Sequence, residues 1–196
     1  MRMRRYLSDC SRGTAMTERE AAGPRAERVW VVGIDGAVFR VIDALVAQGW
    51  MPNLGRLMRE GMAASLLSTL PPISAPAWVS FQTGCNPGRH GVYSFRGPMR
   101  GSWERPLCNA QTIRVPRLWQ YLELFGLSSG VINVPETYPV APLPGYLVAG
   151  MLSPDGRQAV AYPAPVQEML RAEGYVVDLH IGRHEREART EAQIIS

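Results

Sequence analysis

From residue 28 onward the chain alternates two kinds of apolar pattern. "RVWVVGID" (28–35) is a short, nearly continuous valine-rich run, which predicts a strand buried on both faces of a parallel sheet. It ends at Asp35-Gly36. "VFRVIDALVAQG" then sets Val38, Val41, Ile42, Leu45 and Val46 at three- and four-residue spacing and stops at Gly49, the pattern of a helix with a glycine terminator. After Pro52, "NLGRLMREG" predicts a second short helix ending at Gly61. "AASLLSTL" (63–70) reads as a second strand running into paired prolines, and "APAWVSFQTG" (75–84) as another helix.

The alternation continues. "VPRLWQYLELFG" (115–126) places Val115, Leu118, Trp119, Leu122 and Phe125 on one helical face, and "SSGVINVP" (128–135) supplies the next strand. "GYLVAGML" (145–152) predicts a strand, "APVQEMLRAEG" (164–174) a helix, and "YVVDLHI" (175–181) a strand. This order predicts an α/β fold with a mixed or mainly parallel sheet covered by helices on both faces, whose ligands bind beyond the carboxyl ends of the strands. No repeat or linker interrupts 28–196, and 1–27 reads as a disordered tail or an early start ahead of Met16. The closing "EREARTEAQIIS" begins a helical pattern with no terminator, so the expectation is a chain that stops partway through its catalytic domain.

Composition narrows the chemistry. All 21 basic residues are arginine. Without lysine there is no Walker-type phosphate loop, Schiff-base enzyme or pyridoxal enzyme to consider. The net charge is +4, and residues 1–28 hold seven arginines against four acids, which leaves the folded part close to neutral. No basic stripe with interleaved aromatics marks a nucleic-acid surface. Cys10, Cys85 and Cys108 lack CxxC spacing, so neither a disulfide framework nor a zinc knuckle is indicated. The basic start has no apolar h-region after it, and no run of 18 apolar residues occurs. A reducing, cytoplasmic location and no membrane partner are the expectations.

Two positions carry candidate chemistry. Asp35 falls where the first predicted strand runs out, with a glycine after it to turn the backbone, so its carboxylate is placed to face a ligand crevice or to cap the next helix. Ser74, in "ISAPAW", is expected at the N-cap of the 75–84 helix, with Pro76 in the first turn, where the missing N–H costs nothing. A side-chain oxygen there sits beside the backbone N–H groups and the positive dipole end that favour a phosphate oxyanion. A serine hydroxyl needs a base or a metal to become a nucleophile. No lysine is at hand, and metal activation with Asp35 as a ligand is the remaining route.

"VVGIDGAVFRVIDALVAQGWMPNLGRLMREG", "LPPISAPAWVSFQTGCNPGRHGVYSF" and "INVPETYPVAPLPGYLVAGMLSP" together resemble the type I phosphodiesterase/nucleotide pyrophosphatase family of the alkaline phosphatase superfamily. The resemblance implies a three-layer, alkaline-phosphatase-like sandwich, here incomplete. It implies that Asp35 binds one of two divalent metal ions, usually zinc, and that Ser74 touches the metals and is the nucleophile. It implies a covalent phospho-enzyme on a small phosphate-ester substrate. Five further Asp and His ligands lie later in family members, so the chain by itself is expected to bind metal weakly and to turn over little.

Some residues depart from the family pattern. Phe95 stands where nucleotide pyrophosphatases often carry an asparagine, and Trp78 stands where the Cys/Ser-x-Pro-x-Arg signature of sulfatases requires arginine. A sulfatase-like or phosphomutase-like enzyme and a non-catalytic anion-binding remnant are the alternatives. His90 is expected to pack a loop rather than serve as a base, Cys85 to be a small apolar residue, and His180 and His184 to lie on loops. "NVPETYPVAPLP" is expected to form a rim loop at the substrate entrance.

Overall fold

Helices form where three- and four-residue spacing predicts them, and strands form only where a neighbour is present. The computed structural model describes residues 28–97, 103–153 and 158–177, and the chain divides into two compact units, Met1–Gly61 and Met62–Ser196. The expected tail at 1–27 and the closing helical pattern lie outside the described residues.

In the first unit α1 (Phe39–Ala47) and α2 (Pro52–Glu60) pack on one another. Ile42, Leu45 and Val46 of α1 and Leu54 and Met58 of α2 are half-buried. Gly55 is buried between them, and a Cβ at that position would stand 2.7 Å from Val46 Cγ1, so glycine sets how closely the helices approach. The strand expected at 28–35 does not form. Val29, Trp30, Val31, Val32 and Ile34 are exposed, and among the described residues of this unit there is no strand to receive their N–H and C=O groups. A valine-rich run has the composition of a buried strand, but the ladder needs a partner that composition does not supply.

The second unit holds α3 (Ser74–Thr83), α4 (Pro87–His90), α5 (Leu118–Leu124), β1 (Ser129–Val134), β2 (Gly145–Ala149), β3 (Ala161–Tyr162) and α6 (Ala164–Ala172). Its described sheet is three-stranded, in the order β1-β2-β3. β1 and β2 are parallel, from Ser129 opposite Gly145 to Val134 opposite Ala149, with a bulge at Asn133, whose φ is 56°. β2 and β3 are antiparallel. The fold is therefore α/β with a mixed sheet, and only one of its two pairings is parallel. The expected strand at 63–70 also has no pairing strand among the described residues, and Leu66 and Leu67 are exposed. The strand expected at 145–152 ends at Ala149, where the chain turns. Tyr175–Val177 form no strand, and 178–181 lie outside the described residues.

Gly145 opens β2 with a φ of 123°, and a Cβ there would lie 2.2 Å from the Ser129 carbonyl oxygen. Only glycine lets the two strands start side by side. Trp119 from α5 joins Val131, Leu143, Leu147, Ala149 and Val160 in one buried cluster, so α5 covers the sheet. A second cluster joins Ala75 and Val79 of α3 to Val92 and Cys108, with Phe95 and Ile113 at its margin. Among the described residues no helix is long and apolar enough to cross a membrane.

The short β3 is held by a side chain. Buried Gln167 of α6 uses one oxygen, Oε1, to accept the backbone N–H groups of Val160 at 2.7 Å and Ala161 at 2.9 Å. Replacing Gln167 by leucine keeps the volume and strands two buried donors. The expected loss is about 2–4 kcal/mol of unfolding free energy, read by urea denaturation.

Candidate functional site

Ser74 is the first residue of α3, and the preceding Ile73, in extended conformation, is the cap. The expected N-cap role is thus displaced by one residue. The helix's first i to i−4 bond runs from Ala77 N–H to the Ile73 carbonyl at 3.2 Å. The N–H groups of Ser74 and Ala75 therefore belong to the open end of the helix, and Pro76 has none to offer. Ser74 is half-buried, while Ala75 and Pro76 directly behind it are fully buried. Ala75, Val79 and Gln82 lie on one face and press the helix into its unit, leaving Trp78 and Phe81 in an edge-to-face pair with ring centroids 5.8 Å apart.

His90 settles one competing reading. Its ring is fully buried, its Nδ1 accepts the Val92 N–H at 3.1 Å, and its Nε2 lies 3.0 Å from Ser80 Oγ. A nitrogen that accepts a backbone N–H carries no proton in the neutral ring, so the proton sits on Nε2 and is donated to Ser80. A general base would need the opposite polarity, with Nε2 free to take the serine proton. Burial pulls the His90 pKa down, against an opposing hydrogen bond to the Pro76 backbone, which favours this neutral ring. His90 ties α4 to α3, and its carbonyl accepts Arg114 N–H at 3.1 Å.

The segment expected as a rim loop, 133–144, is exposed at Asn133, Ala141, Pro142 and Pro144 but turns inward after Val134. Pro135, Glu136 and Thr137 are buried. Gln82 of α3 donates its Nε2 to the Pro135 carbonyl at 3.2 Å. Thr137 Oγ1 donates to the Val134 carbonyl at 2.6 Å and accepts Gly150 N–H at 3.0 Å. Three polar side-chain bonds thus fasten α3 and the ends of β1 and β2 to one turn. At its centre Glu136 has a φ of 56°, is 3% exposed and has no hydrogen-bond partner for either carboxylate oxygen among the described residues. Burial pushes its carboxyl up to about 8. Burial also pushes the Cys108 thiol up, and the nearby Glu136 charge adds to that. Sequence patterning gave no sign of Glu136, because an acid in a proline-rich stretch reads as surface.

Asp35 sits in an exposed turn of the first unit. It is not the cap of α1, whose N-cap is Val38. Asp35 and Ser74 belong to different units. Cys85 is half-buried in a groove of about 700 Å³ lined by 67–70, Ser80, 84–88 and Tyr93, a groove whose walls do not include Ser74. Phe95 packs against the α3 cluster. His180 and His184 lie outside the described residues. Asp35 and Ser74 provide hard oxygen donors of the kind a divalent cation accepts, but two donors are fewer than the four a zinc ion takes. Among the described residues no three of His, Cys, Asp and Glu gather into a set able to hold a metal. The chemistry of the donors fits a divalent cation, and their number is insufficient without further ligands.

No curated protein and no solved structure matches the chain. A family model, type I phosphodiesterase / nucleotide pyrophosphatase, matches residues 29–188, which includes Asp35, Ser74 and the 133–138 turn. With that match over most of its length, the chain belongs to the type I phosphodiesterase / nucleotide pyrophosphatase family.

Proposed function

We propose that the protein is a metal-dependent phosphoric-ester hydrolase in which Ser74 is the nucleophile and Asp35 a metal ligand, and that residues 28–196 form the N-terminal part of an alkaline-phosphatase-like three-layer domain. The observation that carries this reading is the family match over 29–188 together with Ser74 as the first residue of a ten-residue helix. Asp35 and Ser74 would hold the divalent ions, two zinc ions being the expectation, with further ligands from outside the described residues. When bound, such ions supply the positive charge that lowers the pKa of a hydroxyl and offsets charge on phosphate.

The chain's own part follows from the placement of Ser74. The positive end of the α3 dipole favours a phosphate oxygen beside the hydroxyl. Ser74 Oγ gives up its proton to solvent and attacks phosphorus, forming a P–O bond as the ester P–O bond breaks, and the departing alkoxide takes up a proton while the phosphoryl group stays on Ser74. Water then cleaves that bond and restores the hydroxyl. The reversed polarity of the Ser80–His90 contact favours this assignment over a Ser80–His90 dyad.

The test is acid quenching of the full-length gene product during turnover of bis(p-nitrophenyl) phosphate with zinc, followed by peptide mapping. The expected result is a phosphoryl adduct on the peptide bearing Ser74, with turnover lost on chelation and regained with zinc. An adduct on another residue, or turnover that ignores the chelator, overturns the reading.

A further inference from the structure

A second feature of the Met62–Ser196 unit lies away from α3. Arg117 precedes α5, and its backbone N–H is accepted by Gln120 Oε1 at 2.9 Å. Its side chain turns inward. Nη2 donates to the Ala110 carbonyl, Nε is buried with no hydrogen-bond partner among the described residues, and the guanidinium carbon lies 6.0 Å from the centre of the Trp119 ring. Among the described residues no carboxylate pairs with it, and burial lowers its pKa with no acid to offset the effect. An arginine stays charged under such conditions. A largely buried charge without a counter-charge is costly, and a bare Nε adds the cost of an unmade hydrogen bond.

The space beside that guanidinium is shaped for a small guest. A cavity of about 220 Å³ is lined by Arg117, Gln111, Trp119, Pro139, Val140 and Leu147, among others. At about 30 Å³ per water it holds the equivalent of roughly seven waters, less than the pockets that take drug-sized ligands. Thr137 also lines it, but its hydroxyl already serves Val134 and Gly150. That leaves the Arg117 fork and the Gln111 amide as polar groups, against an otherwise apolar wall. Nε is closed off even from water, so a guest is met by the Nη N–H groups that the Ala110 carbonyl does not take, and such groups recognise a planar or tetrahedral oxyanion through charge-assisted bonds.

We propose that the Arg117 cavity is a binding site for a small oxyanion, a carboxylate or a phosphate, carried on a short apolar stem. None of its walls comes from α3, so the site does not depend on the Ser74 chemistry.

The test titrates the ¹⁵N-labelled protein with sodium propionate or inorganic phosphate at constant ionic strength, with chloride as the balancing salt. The readout is the Trp119 indole N–H resonance. A saturable shift is expected with at least one probe, and which one saturates separates the carboxylate from the phosphate source. Arg117→Met is expected to weaken that binding at least tenfold. Ala141→Phe, which crowds the cavity and keeps the charge, is expected to do the same and carries the test if Arg117→Met fails to fold. Ser74→Ala is expected to bind like the wild type even if Ser74 proves not to be the nucleophile. Linear shifts with both probes, or saturation unchanged in Ala141→Phe, would overturn the proposal.

Discussion

Replacing Ser74 by alanine is expected to lower hydrolysis of bis(p-nitrophenyl) phosphate by roughly 10³-fold or more in the zinc-loaded full-length gene product. A covalent route cannot proceed without the oxygen that takes the phosphoryl group, and what survives loss of a nucleophile comes from binding and electrostatics alone. The substitution is mild for the fold. Ser74 is half-buried at the first helical position, where alanine is a good helix former, so a change within about 1 kcal/mol is expected in urea denaturation. Ser74→Thr keeps a hydroxyl at the same place and is expected to retain far more activity than alanine. Wild-type rates in the alanine variant would remove Ser74 from the mechanism. Equal loss in the threonine variant would point to packing against Ala75 and Pro76 rather than to chemistry.

The helices were the legible part of the fold because each is specified locally. Apolar spacing marks α1 and α6, a serine and proline mark the start of α3, and each is followed within two residues by a glycine with positive φ, at Gly49, Gly84 and Gly174. The strands depend on partners. "SSGVINVP" and "GYLVAGML" became β1 and β2 because they pair with each other, whereas "RVWVVGID" and "AASLLSTL", equally apolar, have no neighbour among the described residues of their units. Apolar content alone could not separate these outcomes.

The candidate site was legible in the same uneven way. Ser74 could be found because a serine before a Pro-containing helix start is a local signal, and the structure places it within one residue of the expected position. The other groups that the fold brings together were not. The tautomer of His90 is set by Val92 N–H, two residues on, and by Ser80, ten residues back, and no periodicity encodes that arrangement. The Arg117 cavity draws walls from 110–119, 137–141 and Leu147, so its shape and charge appear only once these segments are folded together. Chemistry carried by one helix end can be read from a sequence, while chemistry made by convergence of loops cannot.

Glu136 yields the largest expected change in stability. Its carboxyl is pushed from an ordinary 4.5 to about 8 by burial, so the folded protein holds a proton there that the unfolded chain releases at lower pH. Between about 4.5 and about 8 the native state binds more protons than the unfolded state, and stability must fall as pH rises through that window. Below it the group is neutral in both states, and above it the full penalty of a buried, unpartnered carboxylate applies. At about 1.4 kcal/mol per pH unit the penalty reaches roughly 5 kcal/mol at its full extent. Glu136→Gln removes the charge and keeps the shape and the left-handed backbone, so the comparison isolates ionisation. The variant is expected to match the wild type within about 1 kcal/mol near pH 4.5 and to exceed it by roughly 3–5 kcal/mol at pH 8 to 9. Urea denaturation across that range checks it. Parallel stability curves for the two proteins would mean that the Glu136 carboxylate is not held at that cost, and that the turn joining α3 to the ends of β1 and β2 satisfies it.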